Sequence, residues 1–242
     1  MIRHSYITNN GSRPVNEDSG SIIGRDDRYC FTVCDGLGGH GKGEVASSVT
    51  AKIFSEAFKK TNLEPQKFFE LAYNKAQEIV HGLQKKEGCG FSMKTTVVSL
   101  VIAGGKCTWS HLGDSRLYMF RNNEVQLRTL DHSVPQMLAA SNEIKEKEIR
   151  FHPDRNRLLR VLGSDEESPR FTVSESVDLS ECDAFLLCTD GFWELIDEKQ
   201  MCQLLKKSHS PRMWLRRMEE IVLTNGKNKE TDNYTAIAVF TE

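Results

Sequence analysis

The chain has 242 residues, long enough for one substantial domain that buries roughly 70 to 75% of its unfolded surface. Its 32 Lys plus Arg are balanced by 34 Asp plus Glu, a net charge of -2, which supplies no basic field for sequence-independent nucleic-acid binding. Seven cysteines without a C-x-x-C pair read as small buried hydrophobes of a reducing compartment; the N-terminus, MIRHSYITNNG, has no apolar stretch of signal-peptide length and no run approaches a membrane span, so a soluble cytoplasmic protein without a membrane partner is expected.

The first elements have hairpin rhythm. Residues 4–9 (HSYITN) predict a short strand, Gly11 and Pro14 frame a turn into RPVNED, and Ser19 to Ile23 predicts a second strand. The stretch from Tyr29 to Ser47, YCFTVCDGLGGHGKGEVAS, begins as a buried strand and ends on Asp35. It then passes through a loop with glycines at 36, 38, 39, 41 and 43 into a helix. From Gly43 to Lys60, Val45, Val49, Ile53 and Ala57 recur at helical spacing; Pro65 opens a second helix with Phe68, Phe69, Ala72, Ala76, Ile79, Val80 and Leu83 on its apolar face.

The period then changes. Thr95 to Ala103 is a continuous apolar and β-branched run, followed by strands at Lys106 to Leu112, Arg116 to Phe120 and, after Asn122-Asn123, Glu124 to Leu130. Residues 131–166 are polar and charged, with Pro135 and Pro153, and predict a flap. Strands resume at Phe171 to Val173 and Ala184 to Cys188, helices at Phe192 to Ile196, Glu198 to Lys207 and Arg212 to Thr224, and a last strand at Tyr234 to Phe240. Runs of strands and paired helices without regular βαβ alternation predict an α+β fold in a single domain spanning residues 1–242.

Asp35, Asp114, Asp190 and Asp232 all fall at strand ends. Like charges about 4 Å apart repel by roughly 4 kcal/mol at an effective dielectric of 20, so carboxylates that converge on one sheet edge call for a cation. Oxygen ligands without paired His or Cys select hard ions, Mg²⁺ or Mn²⁺. The segment from Gly36 to Gly41 also matches G-x-G-x-x-G. A dinucleotide site is disfavoured because Asp35 would face the pyrophosphate and a second helix stands where a parallel strand is required.

RPVNED, DGLGGHGKGEVAS, GDSR, TDG and a final DN, in this order over nearly the whole chain, resemble the type 2C metal-dependent protein phosphatase (PPM) family in its compact bacterial form. The resemblance implies a four-layer α-β-β-α sandwich with two central antiparallel sheets and a flap subdomain at about 131–166. It implies hydrolysis of phosphoserine and phosphothreonine in proteins by a metal-bridging water, without a phosphoenzyme. By the same resemblance Asp35 bridges two Mn²⁺ or Mg²⁺ ions, the Gly36 carbonyl binds one, Asp190 and Asp232 complete the first site, and Glu17 serves the second. Asp114 with Asp190 resembles the ligand pair of a weaker third ion, Asp18 orients metal-bound water, and Arg13 binds the substrate phosphate. The implied partners are phosphorylated proteins, targets of a bacterial Ser/Thr kinase, with the enzyme a monomer.

Two departures qualify the match. Leu37 stands where many members have His after the Asp-Gly pair, which leaves His40 as the substitute proton donor, and Lys94 stands where Gly often precedes Thr-Thr. His111 and His132 read as structural. A catalytically weak regulatory scaffold or a phosphatase with one dedicated partner would share this fold, although the first should have lost its carboxylates.

Overall fold

The computed structural model describes residues 1–38 and 42–241. The chain opens with β1 (Arg3–Asn9), β2 (Ser19–Arg25), β3 (Arg28–Cys34) and the short β4 (Gly36–Leu37), then α1 (Lys42–Lys60) and α2 (Pro65–Glu87). A meander follows: β5 (Lys94–Thr95), β6 (Val97–Ala103), β7 (Lys106–Leu112), β8 (Arg116–Arg121) and β9 (Glu124–Arg128). After α3 (Val134–Ala140) come β10 (Thr172–Val173), β11 (Val177–Asp178), β12 (Ala184–Cys188), α4 (Asp190–Trp193), α5 (Glu198–Leu205), α6 (Pro211–Gly226) and β13 (Tyr234–Phe240).

Two antiparallel sheets form the centre. One runs β1-β13-β12-β8-β9; the other runs β10-β7-β6-β3-β2, with β11 also paired to β7. The strands looked continuously apolar in sequence because both of their faces are covered. On β3, Phe31 and Val33 point between the sheets while Cys30 and Cys34 pack under α1 and α2. On β13, Ile237 and Val239 face the inter-sheet core and Tyr234, Ala236, Ala238 and Phe240 face the α4–α6 side. Three apolar cores between four layers result, as the family resemblance implied.

Helix ends follow local chemistry. Pro65 sits in the first turn of α2, and Gly88 adopts the left-handed conformation that closes its C-terminus. Ser210 accepts from the Met213 N–H to start α6, and Asp197 with Gln200 forms a capping box at α5.

The strand expected from Thr95 to Ala103 is interrupted at Thr96. Thr96 N–H donates to the Asp35 carbonyl at 2.8 Å, while its hydroxyl, and not its carbonyl, accepts the Asp35 N–H at 3.1 Å. The register on either side is the same, Val33 opposite Val98 and Gly36 opposite Thr95, so the break is a local exchange of backbone for side-chain bonding beside Asp35. Lys94 lies in the extended β5 opposite Leu37, a position that does not require glycine. The fourth meander strand ends at Arg128 and not at Leu130, and the short β11 carried no pattern long enough to be read.

Within residues 131–166 the structure holds α3 and a 3₁₀ turn at Glu146–Phe151. Single bridges tie Ser133 to Leu158 and Leu162 to Thr95. The root of the segment is buried: Asp131 accepts from Arg116 Nε at 2.9 Å and Nη2 at 2.7 Å. At its far end Gln77 and Gln84 of α2, both buried, hold the backbone of Gly163 and its neighbours.

Candidate active site

Strand ends β3, β7, β12 and β13 bring their carboxylates to one edge of the sandwich. A cavity of about 640 Å³ there is lined by Arg13, Glu17, Asp35, Gly36, Asp114, Asp190 and Asp232, with Asn156 and Leu158 from the segment after β9. Asp18 lies just beneath, buried at 8% exposure. His40, the expected proton donor, lies outside the described residues.

Each side chain is held by its own local scaffold. The Asp35 carbonyl accepts from Thr96 N–H and from the Thr95 hydroxyl at 2.7 Å. Behind it, Thr96 Oγ1 and Ser115 Oγ lie 2.7 Å apart, which links Asp35 to the turn that carries Asp114. The Asp114 carbonyl accepts from the buried Trp193 indole at 3.0 Å. Asp18 Oδ2 accepts from Thr189, the residue before Asp190, at 2.8 Å. Asn233 knits the N-terminal loop to the start of β13: its Oδ1 accepts the Glu17 N–H at 2.8 Å, and its Nδ2 donates to the carbonyls of Asn10 and Val15.

Gly36 is required by close approach. A Cβ there would stand 2.3 Å from the Glu17 carbonyl oxygen and 2.4 Å from the backbone of Gly43, so no side chain fits between the Glu17 loop and α1. Gly36 N–H donates to that same Glu17 carbonyl at 3.1 Å.

The electrostatics are those of crowded negative charge. Burial, then Asp190, Asp18, Asp114 and Asp232, hold the Asp35 carboxyl well above its usual range. Burial and Asp190 do the same to Asp114, and burial pushes Asp190 to about 6 and Asp18 to about 7. Arg13 Nη2 reaches Asp232 at 3.0 Å, on the exposed rim.

The donor set is all oxygen, faces a common cavity and repels itself, which fits hard divalent cations. Among the described residues no three His, Cys, Asp or Glu side chains are already drawn together around one point. His111 and His132 are structural in their contacts: the rings stack at 4.6 Å, His111 Nε2 lies 2.8 Å from the Leu130 carbonyl, and His132 Nδ1 accepts the Gly113 N–H.

Residues 9–222 match the sequence pattern of protein phosphatase 2C. The chain belongs to the protein phosphatase 2C family. This family is metal-dependent. A serine/threonine phosphatase, stp, of Listeria monocytogenes serotype 4b is 32% identical over 213 residues, covering 82% of this chain and 80% of that protein. The structure of Stp1, a serine/threonine phosphatase from Staphylococcus aureus, superposes with a TM-score of 0.91 at 24% identity, over 100% of this chain and 96% of the other, a likeness of fold. The same fold likeness, TM-score 0.82 at 23% identity over 99% and 97% of the two chains, holds for the catalytic domain of the serine threonine protein phosphatase PstP in complex with two manganese ions.

Glu17, Asp35, Asp114, Asp190 and Asp232, with Gly36 and Arg13, are thus brought to one cavity, and Asp18 is buried beneath it. Their supports Thr96, Ser115, Thr189 and Asn233 were missed as site residues. Asn233, Thr189 and Ser115 lie inside the quoted DN, TDG and GDSR motifs, the signal that could have found them.

Proposed function

We propose that this phosphatase-family chain hydrolyses phosphoserine and phosphothreonine in proteins. In this reading Asp35 would serve two Mn²⁺ or Mg²⁺ ions, with Asp190 and Asp232 completing the first site, Glu17 serving the second and the Gly36 carbonyl binding one of the two, while Asp114 with Asp190 would hold a weaker third. When bound, such ions lower the pKa of water toward neutrality and screen the phosphate charge from its attacker.

The chain's own groups supply the rest. Asp18 is fixed through one oxygen by Thr189 and is suited to orient water in the cavity. The Arg13 guanidinium, 57% exposed and held at the rim by Asp232, is placed to exchange that partner for two phosphate oxygens of a substrate. Asn156 and Leu158 give residues 131–166 a share of the cavity wall, consistent with a flap that shapes access within a single domain spanning residues 1–242.

The observation that carries this reading is the convergence of mutually repelling carboxylates on one open cavity in a chain of this family. The substrates are proteins phosphorylated by a bacterial Ser/Thr kinase, the enzyme is a cytoplasmic monomer, and neither nucleic acid nor membrane is a partner. Among the described residues no helix is long and apolar enough to cross a membrane. The test is hydrolysis of an aryl phosphate with Mn²⁺, repeated with excess chelator. Turnover that chelator abolishes supports the reading; turnover that survives chelator, or none with Mn²⁺, overturns it.

A further inference from the structure

Two thiols far from the carboxylate cavity touch across the sandwich. Cys107 Sγ on β7 lies 3.7 Å from Cys182 Sγ, and the two are 75 residues apart in sequence. Cys107 belongs to one central sheet, and Cys182 stands two residues before β12 of the other. Met119 Sδ of β8 lies 3.3 Å from Cys182, so this corner of the inter-sheet core is made of sulfur.

We propose that Cys107 and Cys182 form a redox-active pair that closes to a disulfide under hydroperoxide, covalently joining the two sheets. The sulfur separation must fall by about 1.7 Å to reach a bond of about 2.05 Å, a distance within reach of side-chain rotation at thiols already in contact. Access exists on one side: Cys182 is 3% exposed and lines a surface cavity of about 390 Å³ with Asn123, Asp183 and Thr241, whereas Cys107 is fully buried behind it. Cys182 is therefore the attacking sulfur and Cys107 the resolving one.

The chemistry balances without a further reagent. Cys182 thiolate attacks one peroxide oxygen, the O–O bond breaks, and with a proton the other oxygen leaves as water. Cys107 then gives up its proton and attacks the resulting sulfenic acid, the S–O bond breaks, and a second water leaves. Two thiols are oxidised by two electrons and one hydrogen peroxide is reduced to two waters.

The bridge lies at the end of the sandwich opposite the cavity. β7 runs from Cys107 toward Asp114 and β12 from Cys182 toward Asp190, a separation of about 20 Å at the rise of a strand. Its effect is on the fold, because it closes a long loop in the unfolded chain.

The experiment treats the folded wild-type protein with hydrogen peroxide, alkylates remaining thiols in denaturant and maps peptides without reduction. A peptide linking Cys107 to Cys182 and lighter by two hydrogens is expected, with an unfolding temperature raised by about 10 °C that reverts with dithiothreitol. Cys182→Ser should lose that increase. Both thiols still alkylated after the partly exposed Cys89 and Cys202 are fully oxidised, or Cys182 driven to sulfinic acid without a link, would overturn the proposal.

Discussion

The Thr189 hydroxyl donates to Asp18 Oδ2 at 2.8 Å and accepts the Thr235 N–H at 2.9 Å, so one side chain ties β12, β13 and the N-terminal loop together beneath the cavity. This bond favours the ionised form of Asp18, opposing the burial that raises it to about 7. Thr189→Val removes the donor with little change of shape. The acid limb of the kcat/KM profile should move to higher pH and stability should fall by about 1 to 3 kcal/mol, both recovered in Thr189→Ser. A pH profile identical to wild type would contradict the assigned role.

The crowded carboxylates give the cation-free protein an unusual pH dependence. Folded-state values of about 6 for Asp190 and about 7 for Asp18 exceed the ordinary 3.8, so between these limits the folded chain retains protons that the unfolded chain has released. Their contribution to stability is full below 3.8 and is lost as pH rises through 6 to 7, the reverse of a salt-bridged carboxylate. Mn²⁺ added to chelator-stripped protein should relieve this repulsion. At about 100 times its Kd an ion stabilises by roughly 2.7 kcal/mol, or about 5 to 10 °C here. The gain in thermal unfolding should be larger at pH 7.5 than at pH 5.5, where the ion must displace protons. Equal shifts at the two pH values would count against these carboxylates as the ligands.

Gly36→Ala places a methyl group against backbone on two sides, the Glu17 carbonyl and Gly43. Neither neighbour is the flexible end of a side chain. Denaturant unfolding should show a loss of about 1 to 3 kcal/mol, and Mn²⁺ titration should show weakened binding because the Glu17 loop is displaced. A variant as stable and as tightly bound to Mn²⁺ as wild type would show that the approach is not limiting.

The architecture was legible from particular residues. Phe31 and Val33 alternating with Cys30 and Cys34 made β3 readable as a strand buried on both faces, and Asp35 at its end pointed to the cavity. The interruption at Thr96 was hidden, because a β-branched residue inside an apolar run gives no sign that its hydroxyl will replace its carbonyl. Gln77 and Gln84 were equally silent: each lies on the buried side of α2, where backbone partners in the loop after Leu162 and, for Gln84, at Met93 explain them. Polar supports of this kind depend on which distant backbone meets them, and spacing along the chain does not encode that.

Residues 131–166 are anchored by an ion pair that should be costly to break. Arg116 and Asp131 expose 3% and 1% of their side chains, and the Arg116 guanidinium lies 3.3 Å from the centre of the Trp193 ring. Asp131→Ala removes both carboxylate oxygens and leaves Arg116 buried against the Trp193 ring, with the longer 4.0 Å approach to Glu198 and the 3.2 Å hydrogen bond to Tyr118 Oη. Stability should fall by about 3 to 5 kcal/mol, and limited proteolysis should cut first within 131–166. A loss below about 1 kcal/mol, the scale of an exposed pair, would contradict the anchor.

The most direct test is phosphate release from a phosphothreonine peptide by Asp190→Asn at saturating Mn²⁺, with unfolding followed in parallel. Asp190 is shared between two of the proposed ion positions, and its replacement removes a charge from a cluster that repels itself. The account predicts a loss of at least about a thousandfold in kcat/KM with a folded protein whose cation-free unfolding temperature is unchanged or higher. Turnover equal to wild type in the folded variant would contradict it.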